Sequence, residues 1–198
     1  MKFNSREIKD LWIAGLMISL AFAILLSGGL TGVLSFSSGF FVVFLISFFT
    51  AGVGFLLHEM MHKYVAQSYG LKAEFRASYG MLWLAIFFSF LGFIIAAPGA
   101  VMIRGFMNRE KNGKISLAGP MTNIVLAGIF LGLILFVGGQ GIVGVFFRFG
   151  LTINALLGAF NLIPVRPFDG GKVLVWNKGA YFVSLIIAVL LLVAGFSI

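Results

Sequence analysis

Residues 40–66 read FFVVFLISFFTAGVGFLLHEMMHKYVA, an apolar run interrupted near its end by His58-Glu59-Met60-Met61-His62. The run exceeds the ~20 residues that a helix needs to cross a bilayer. The chain has 2 histidines, and both stand in this insert. Four positions correspond to about 400° of helical rotation, so the two imidazoles project from one face, one turn apart. Two neutral imidazoles in that arrangement can bind one Zn²⁺, and the Glu between them can serve as a general base. Ionisable groups at membrane depth are costly and mark function. The stretch therefore points to metal-dependent hydrolytic chemistry inside a membrane.

The composition agrees with a lipid solvent. Of 198 residues, 61% are hydrophobic, 10% charged and 16% aromatic, with mean hydropathy +1.11. Soluble domains carry roughly 25% charged residues, so a polytopic membrane protein is expected throughout, as one membrane-embedded domain over 1–198. There is no cysteine, which removes disulfides and thiolate zinc ligands. The net charge of +8 reads as basic loops facing anionic lipid, with no nucleic-acid partner. Leu11 to Leu26 reads as a first span and not as a removed signal peptide.

Apolar runs lie at roughly 11–30, 40–66, 81–103, 115–137, 142–165 and 179–197. Lys2, Arg6 and Lys9 precede the first. Lys63, Lys72 and Arg76 follow the second. Arg104, Arg109, Lys111 and Lys114 separate the third from the fourth, and Arg166, Lys172 and Lys178 separate the fifth from the sixth. The joints at 31–39 and 138–141 carry no Lys or Arg. The positive-inside rule then places the N-terminus and the 63–80, 104–114 and 166–178 regions in the cytoplasm. The run 81–103 starts and ends on that side, so it is expected to re-enter, bending near Gly92 or at Pro98-Gly99. An ordinary sixth span is the competing reading. Arg148, outside this basic set, is expected to snorkel outward.

Residues 71–79, Leu-Lys-Ala-Glu-Phe-Arg-Ala-Ser-Tyr, alternate apolar and polar between Gly70 and Gly80. That period of two predicts a strand. Its edge could pair with an extended peptide, or the segment is a surface hairpin with no substrate role. The fold class is thus all-α and polytopic, with five to six transmembrane helices, a short membrane-associated β region and a re-entrant segment.

A catalytic zinc site commonly has three protein ligands. With neither Cys nor a third His, the third ligand should be a carboxylate. Glu7 and Asp10 lie in a charged N-terminal lead, Glu74 sits among strand charges, and Glu110 lies in a polar run. Asp169 closes Asn161-Leu-Ile-Pro164-Val-Arg-Pro167-Phe-Asp169-Gly170-Gly171 at the cytoplasmic end of an apolar run. Its prolines stop regular helix and its glycines permit a sharp turn that can aim the carboxylate inward. As a bare sequence feature Asp169 is a helix-end turn residue. Beside the histidine pair it is the expected third ligand.

HEMMH on the second span, Gly119-Pro120-Met121-Thr122-Asn123 on a later one and NLIPVRPFDGG on the next, in this order, resemble the site-2 protease family of intramembrane zinc metalloproteases. The resemblance covers about residues 40–175, the expected catalytic core. It implies zinc bound by His58, His62 and Asp169, Glu59 as general base, and Asn161 helping to orient or stabilise the substrate carbonyl. It maps Gly119, Pro120 and Asn123 to a motif of less defined role, and implies a short β region between the second span and the Gly-Pro span. The apolar insert 81–103 departs from the simplest such loop.

The implied activity is hydrolysis of peptide bonds within transmembrane segments of other membrane proteins, in a multi-pass cell-membrane protein whose active site opens to the cytoplasm. A substrate helix hides its peptide bonds in hydrogen bonds and must unwind locally first. A metal transporter or sensor would bury several ligand-rich sites along a path; this sequence offers one. A catalytically silent binder of transmembrane helices is the other alternative.

Overall fold

In the computed structural model, which describes residues 1–34, 38–94 and 97–198, the apolar runs become helices. In chain order these are α1 (Ser5–Leu26), α2 (Leu30–Leu34) and α3 (Ser38–Ser47), then a π-helical turn (Phe48–Gly52) leading into α4 (Val53–Ser68). Strand β1 (Lys72–Ala77), α5 (Tyr79–Phe90) and β2 (Gly99–Arg104) follow, and α6 (Arg109–Val137), α7 (Gly141–Asn161), α8 (Asp169–Trp176) and α9 (Lys178–Ser197) complete the chain. Asparagines start three of the helices by accepting orphan backbone N–H groups. Asn4 accepts from Glu7, Asn108 from Lys111 and Asn177 from Ala180.

Among the described residues, five helices are long and apolar enough to cross a membrane: Ser5–Leu26, Gly39–Ser68, Arg109–Val137, Gly141–Asn161 and Lys178–Ser197. The remaining apolar run, 81–103, yields α5, a helix of 12 residues. That is about 18 Å, short of the ~30 Å hydrocarbon core. After α5 the chain turns through Leu91 and Gly92, whose φ of +89° suits glycine. It returns as β2, and Ser78 N–H donates to the Pro98 carbonyl at 2.9 Å. The excursion ends where it began, as the re-entrant reading expects. Residues 95–96 of this run and part of the 31–39 joint lie outside the described residues.

The chain divides into two compact units. In the first, Lys2–Leu56 with Glu74–Met102, α1 packs on α3, α5 and the π turn. Ala21 and Ile24 meet Ala85 and Ile86 in a buried cluster. Small residues set the helix spacing: a Cβ on Gly52 would overlap Ser19 Oγ, and one on Gly15 would press on Leu56.

The two strands pair in one sheet. Phe75 is buried and Glu74 exposed, as the alternation predicts, but Tyr79 opens α5 and leaves the strand. Ser78 N–H faces β2, so by the two-residue period the N–H groups of Phe75 and Ala77 face away from it. They are taken by the first turns of α1: Phe75 N–H donates to Glu7 Oε1 at 2.8 Å and Ala77 N–H to Asp10 Oδ2 at 3.4 Å. Tyr79 O–H also donates to Asp10, at 2.6 Å. Glu7 and Asp10 are therefore buried structural acids of the first unit, where the sequence suggested only a charged lead. At these positions the β1 edge is occupied by α1 and is not open to a peptide.

The second unit comprises Leu57–Ala73 and Ile103–Ile198, together with Met1. Ala127, Ile134, Phe147, Leu151 and Ala155 form one buried cluster between α6 and α7; Ile124, Leu162 and Ala188 form another. Gly150 admits the Phe130 ring and Gly113 admits Trp176, which seats α8 on α6. Gly128 and Gly132 have open space where a Cβ would stand. The Arg148 guanidinium lies beside Gly139 in the turn before α7.

Candidate metal centre

His58, Glu59 and His62 occupy adjoining turns of α4 and are buried. Asp169 reaches them because α7 stops at Asn161 and α8 starts at Asp169 itself. The reversal between the two is tight. A Cβ on Gly170 would overlap the Leu162 carbonyl, so glycine is required there.

The three predicted ligand atoms converge. His58 Nε2 and His62 Nε2 are 3.0 Å apart. Asp169 Oδ2 lies 3.0 Å from His62 Nε2 and 3.5 Å from His58 Nε2. Ligands of a tetrahedral Zn²⁺ at ~2.0–2.1 Å are roughly 3.3 Å from one another, so the separations suit such an ion. The other acids are engaged elsewhere. Glu110 pairs with Lys114, Glu74 with Arg76, and Glu7 and Asp10 with β1.

The chemistry of the donors also fits a cation. His62 Nδ1 is 2.7 Å from the Ile115 carbonyl, which can only accept, so Nδ1 carries the proton. His58 Nδ1 lies 2.6 Å from Asn123 Oδ1 and donates to it. Each neutral imidazole therefore turns a bare Nε2 lone pair toward the other and toward a carboxylate. Three electron-rich atoms so placed repel unless a positive charge sits among them. Lys172 Nζ holds the outer oxygen, Asp169 Oδ1, at 3.1 Å and leaves Oδ2 for the imidazoles.

The Gly-Pro-x-x-Asn motif acquires a role here. A Cβ on Gly119 would overlap the Nε2 atoms of both histidines, so backbone of α6 lies against the ligand atoms. Pro120 has no N–H and removes one rung of the α6 ladder beside the Ile115 carbonyl that fixes His62. Asn123 fixes His58. Asn161 stands apart in its contacts, donating one Nδ2 hydrogen to Leu157 of its own helix at 2.9 Å, which leaves the other. One contributor, Lys172, went unassigned from sequence. The spacing of Lys172 from Asp169, three residues on a helix, is the signal for that pair.

No family model matches the chain, and no solved structure matches it. Curated relatives do. It is 41% identical over 178 residues to "Putative zinc metalloprotease MJ0611" of Methanocaldococcus jannaschii, covering 89% of this chain and 87% of that one. It is 30% identical over 143 residues to "Zinc metalloprotease MJ0392" of the same organism, covering 67% of this chain and 33% of that longer one. To "Putative zinc metalloprotease YwhC" of Bacillus subtilis it is 30% identical over 140 residues, covering 62% of this chain and 64% of the relative. A buried His-His-Asp centre among helices of membrane length defines the class as a membrane metalloprotein. With these relatives the chain belongs to the site-2 protease family of zinc metalloproteases.

Proposed function

We propose that this protein is an intramembrane zinc metalloendopeptidase that cleaves transmembrane segments of other membrane proteins, with its active site reached from the cytoplasm. The observation that carries the reading is the convergence of His58, His62 and Asp169 on one point beside Glu59, among apolar helices. Names of the relatives support metalloprotease chemistry.

His58, His62 and Asp169 would hold Zn²⁺, which when bound supplies the Lewis acidity that makes water a nucleophile near neutral pH. Glu59 accepts the proton of the attacking water and then delivers a proton to the leaving amine. The remaining Nδ2 hydrogen of Asn161 donates to the carbonyl oxygen as negative charge develops on it. The buried position of Glu59 strengthens its electrostatic interaction with the reacting atoms. The substrate helix must unwind to present a peptide bond, so segments with Gly or Pro near the cleavage point are preferred.

The test is cleavage of a Gly-containing transmembrane segment by wild type and Glu59→Gln in proteoliposomes, with zinc content measured in both. Loss of cleavage with zinc retained supports the assignment. Continued turnover by Glu59→Gln would refute it, as would wild-type activity that survives complete removal of metal.

A further inference from the structure

The amide of Asn123 could turn either oxygen or nitrogen toward His58, and only the oxygen suits a metal-ligating imidazole. The structure shows what decides. Asn154, on α7, donates from Nδ2 to the Gly150 carbonyl at 2.9 Å. A carbonyl can only accept, so this end of the chain has a fixed sense. Asn154 Oδ1 must then face Asn123, where it accepts from Nδ2 at 3.0 Å. That in turn leaves Asn123 Oδ1 to accept from His58 Nδ1 at 2.6 Å. Both asparagines are buried, at 0% and 1% exposure, where an inverted amide would set donor against donor or acceptor against acceptor, a costly arrangement at low dielectric.

We propose that Asn154 is a positioning residue of the metal centre: through Asn123 it fixes the proton of His58 on Nδ1 and so keeps Nε2 bare for the metal. This deepens the proposed zinc site and rests on it. Asn154 touches neither metal nor substrate. Its effect is on which imidazole tautomer exists before any ion arrives. Outer partners of metal-bound histidines carry about 10- to 100-fold in metal affinity, and a residue acting one step further out belongs at the lower end.

Two substitutions separate this from packing. Asn154→Leu fills the same space in an apolar bundle but has no acceptor. Asn154→Asp offers Asn123 an acceptor whether ionised or protonated, and when protonated it can still donate to Gly150. Zinc affinity is measured by chelator competition on detergent-purified full-length protein. In parallel, ¹⁵N-histidine NMR of the metal-free protein reads which nitrogen of His58 is protonated; with two histidines in the chain, His62→Gln completes the resonance assignment. The expected result is about a tenfold weaker zinc affinity in Asn154→Leu, with His58 spread over both tautomers, and near wild-type values in Asn154→Asp. Packing alone predicts the reverse order. Unchanged affinity and tautomer in Asn154→Leu, or equal losses in the two variants, would overturn the proposal. A wild type that binds no zinc would count against the proposed function, while the spectrum of His58 still decides the relay.

Discussion

The Nε2 atoms of His58 and His62 lie 3.0 Å apart, while each Nδ1 proton is committed to a partner on α6, Asn123 for one and the Ile115 carbonyl for the other. Two lone pairs are thereby held face to face before any ion binds.

Removing Asp169 should leave two imidazoles and no anion. Asp169→Ala is expected to lose zinc during purification under conditions in which wild type retains about one ion per chain, since structural and catalytic zinc sites commonly need three or more protein ligands. Metal analysis by mass spectrometry checks this. Full retention would mean that another group is the third ligand.

A single methyl group on α6 should be as damaging as the loss of a ligand. The Cβ of Gly119→Ala would occupy the space of both Nε2 atoms, so zinc affinity should fall by at least about tenfold. Gly128→Ala, on the same helix with open space around it, should bind zinc normally and gain up to about 1 kcal/mol from helix propensity. Chelator competition and thermal unfolding of the two variants in one detergent make the comparison.

For Asn161 the expected signature is kinetic. Asn161→Leu should lower kcat by about 10²-fold, the usual effect of losing one oxyanion donor, with zinc content unchanged. Equal kcat in the two proteins would assign this residue to the helix end alone, through its bond to Leu157.

Glu7→Ala should act on the sheet and not on the metal. It strips the buried Phe75 N–H of its acceptor, a loss of about 1–3 kcal/mol. Hydrogen exchange at the Phe75 amide should accelerate while zinc binding stays constant.

Much of this was legible in the sequence because each signal is local. The histidine pair needs only the helical period, β1 only alternation, and the re-entrant segment only the basic residues at both its ends. Asp169 was reachable by elimination among 6 acidic residues. Asn154 was not, since a buried asparagine on an apolar helix looks alike whether it orders a ligand or bonds its own backbone, and its partner is 31 positions away. Glu7 and Asp10 were hidden in the same way: their partners lie 68 and 67 residues on, and a charged lead before an apolar run is ordinarily read as solvated.

The hydrogen bond from Ser78 to Pro98 carries a consequence for sidedness. A segment that departs and returns at one level adds nothing to the parity of membrane crossings. Counting 81–103 as a span because it is apolar would invert the face assigned to every loop after Arg104. Reporters inserted just before Ser78 and just after Pro98 should therefore give the same accessibility from one side of the membrane.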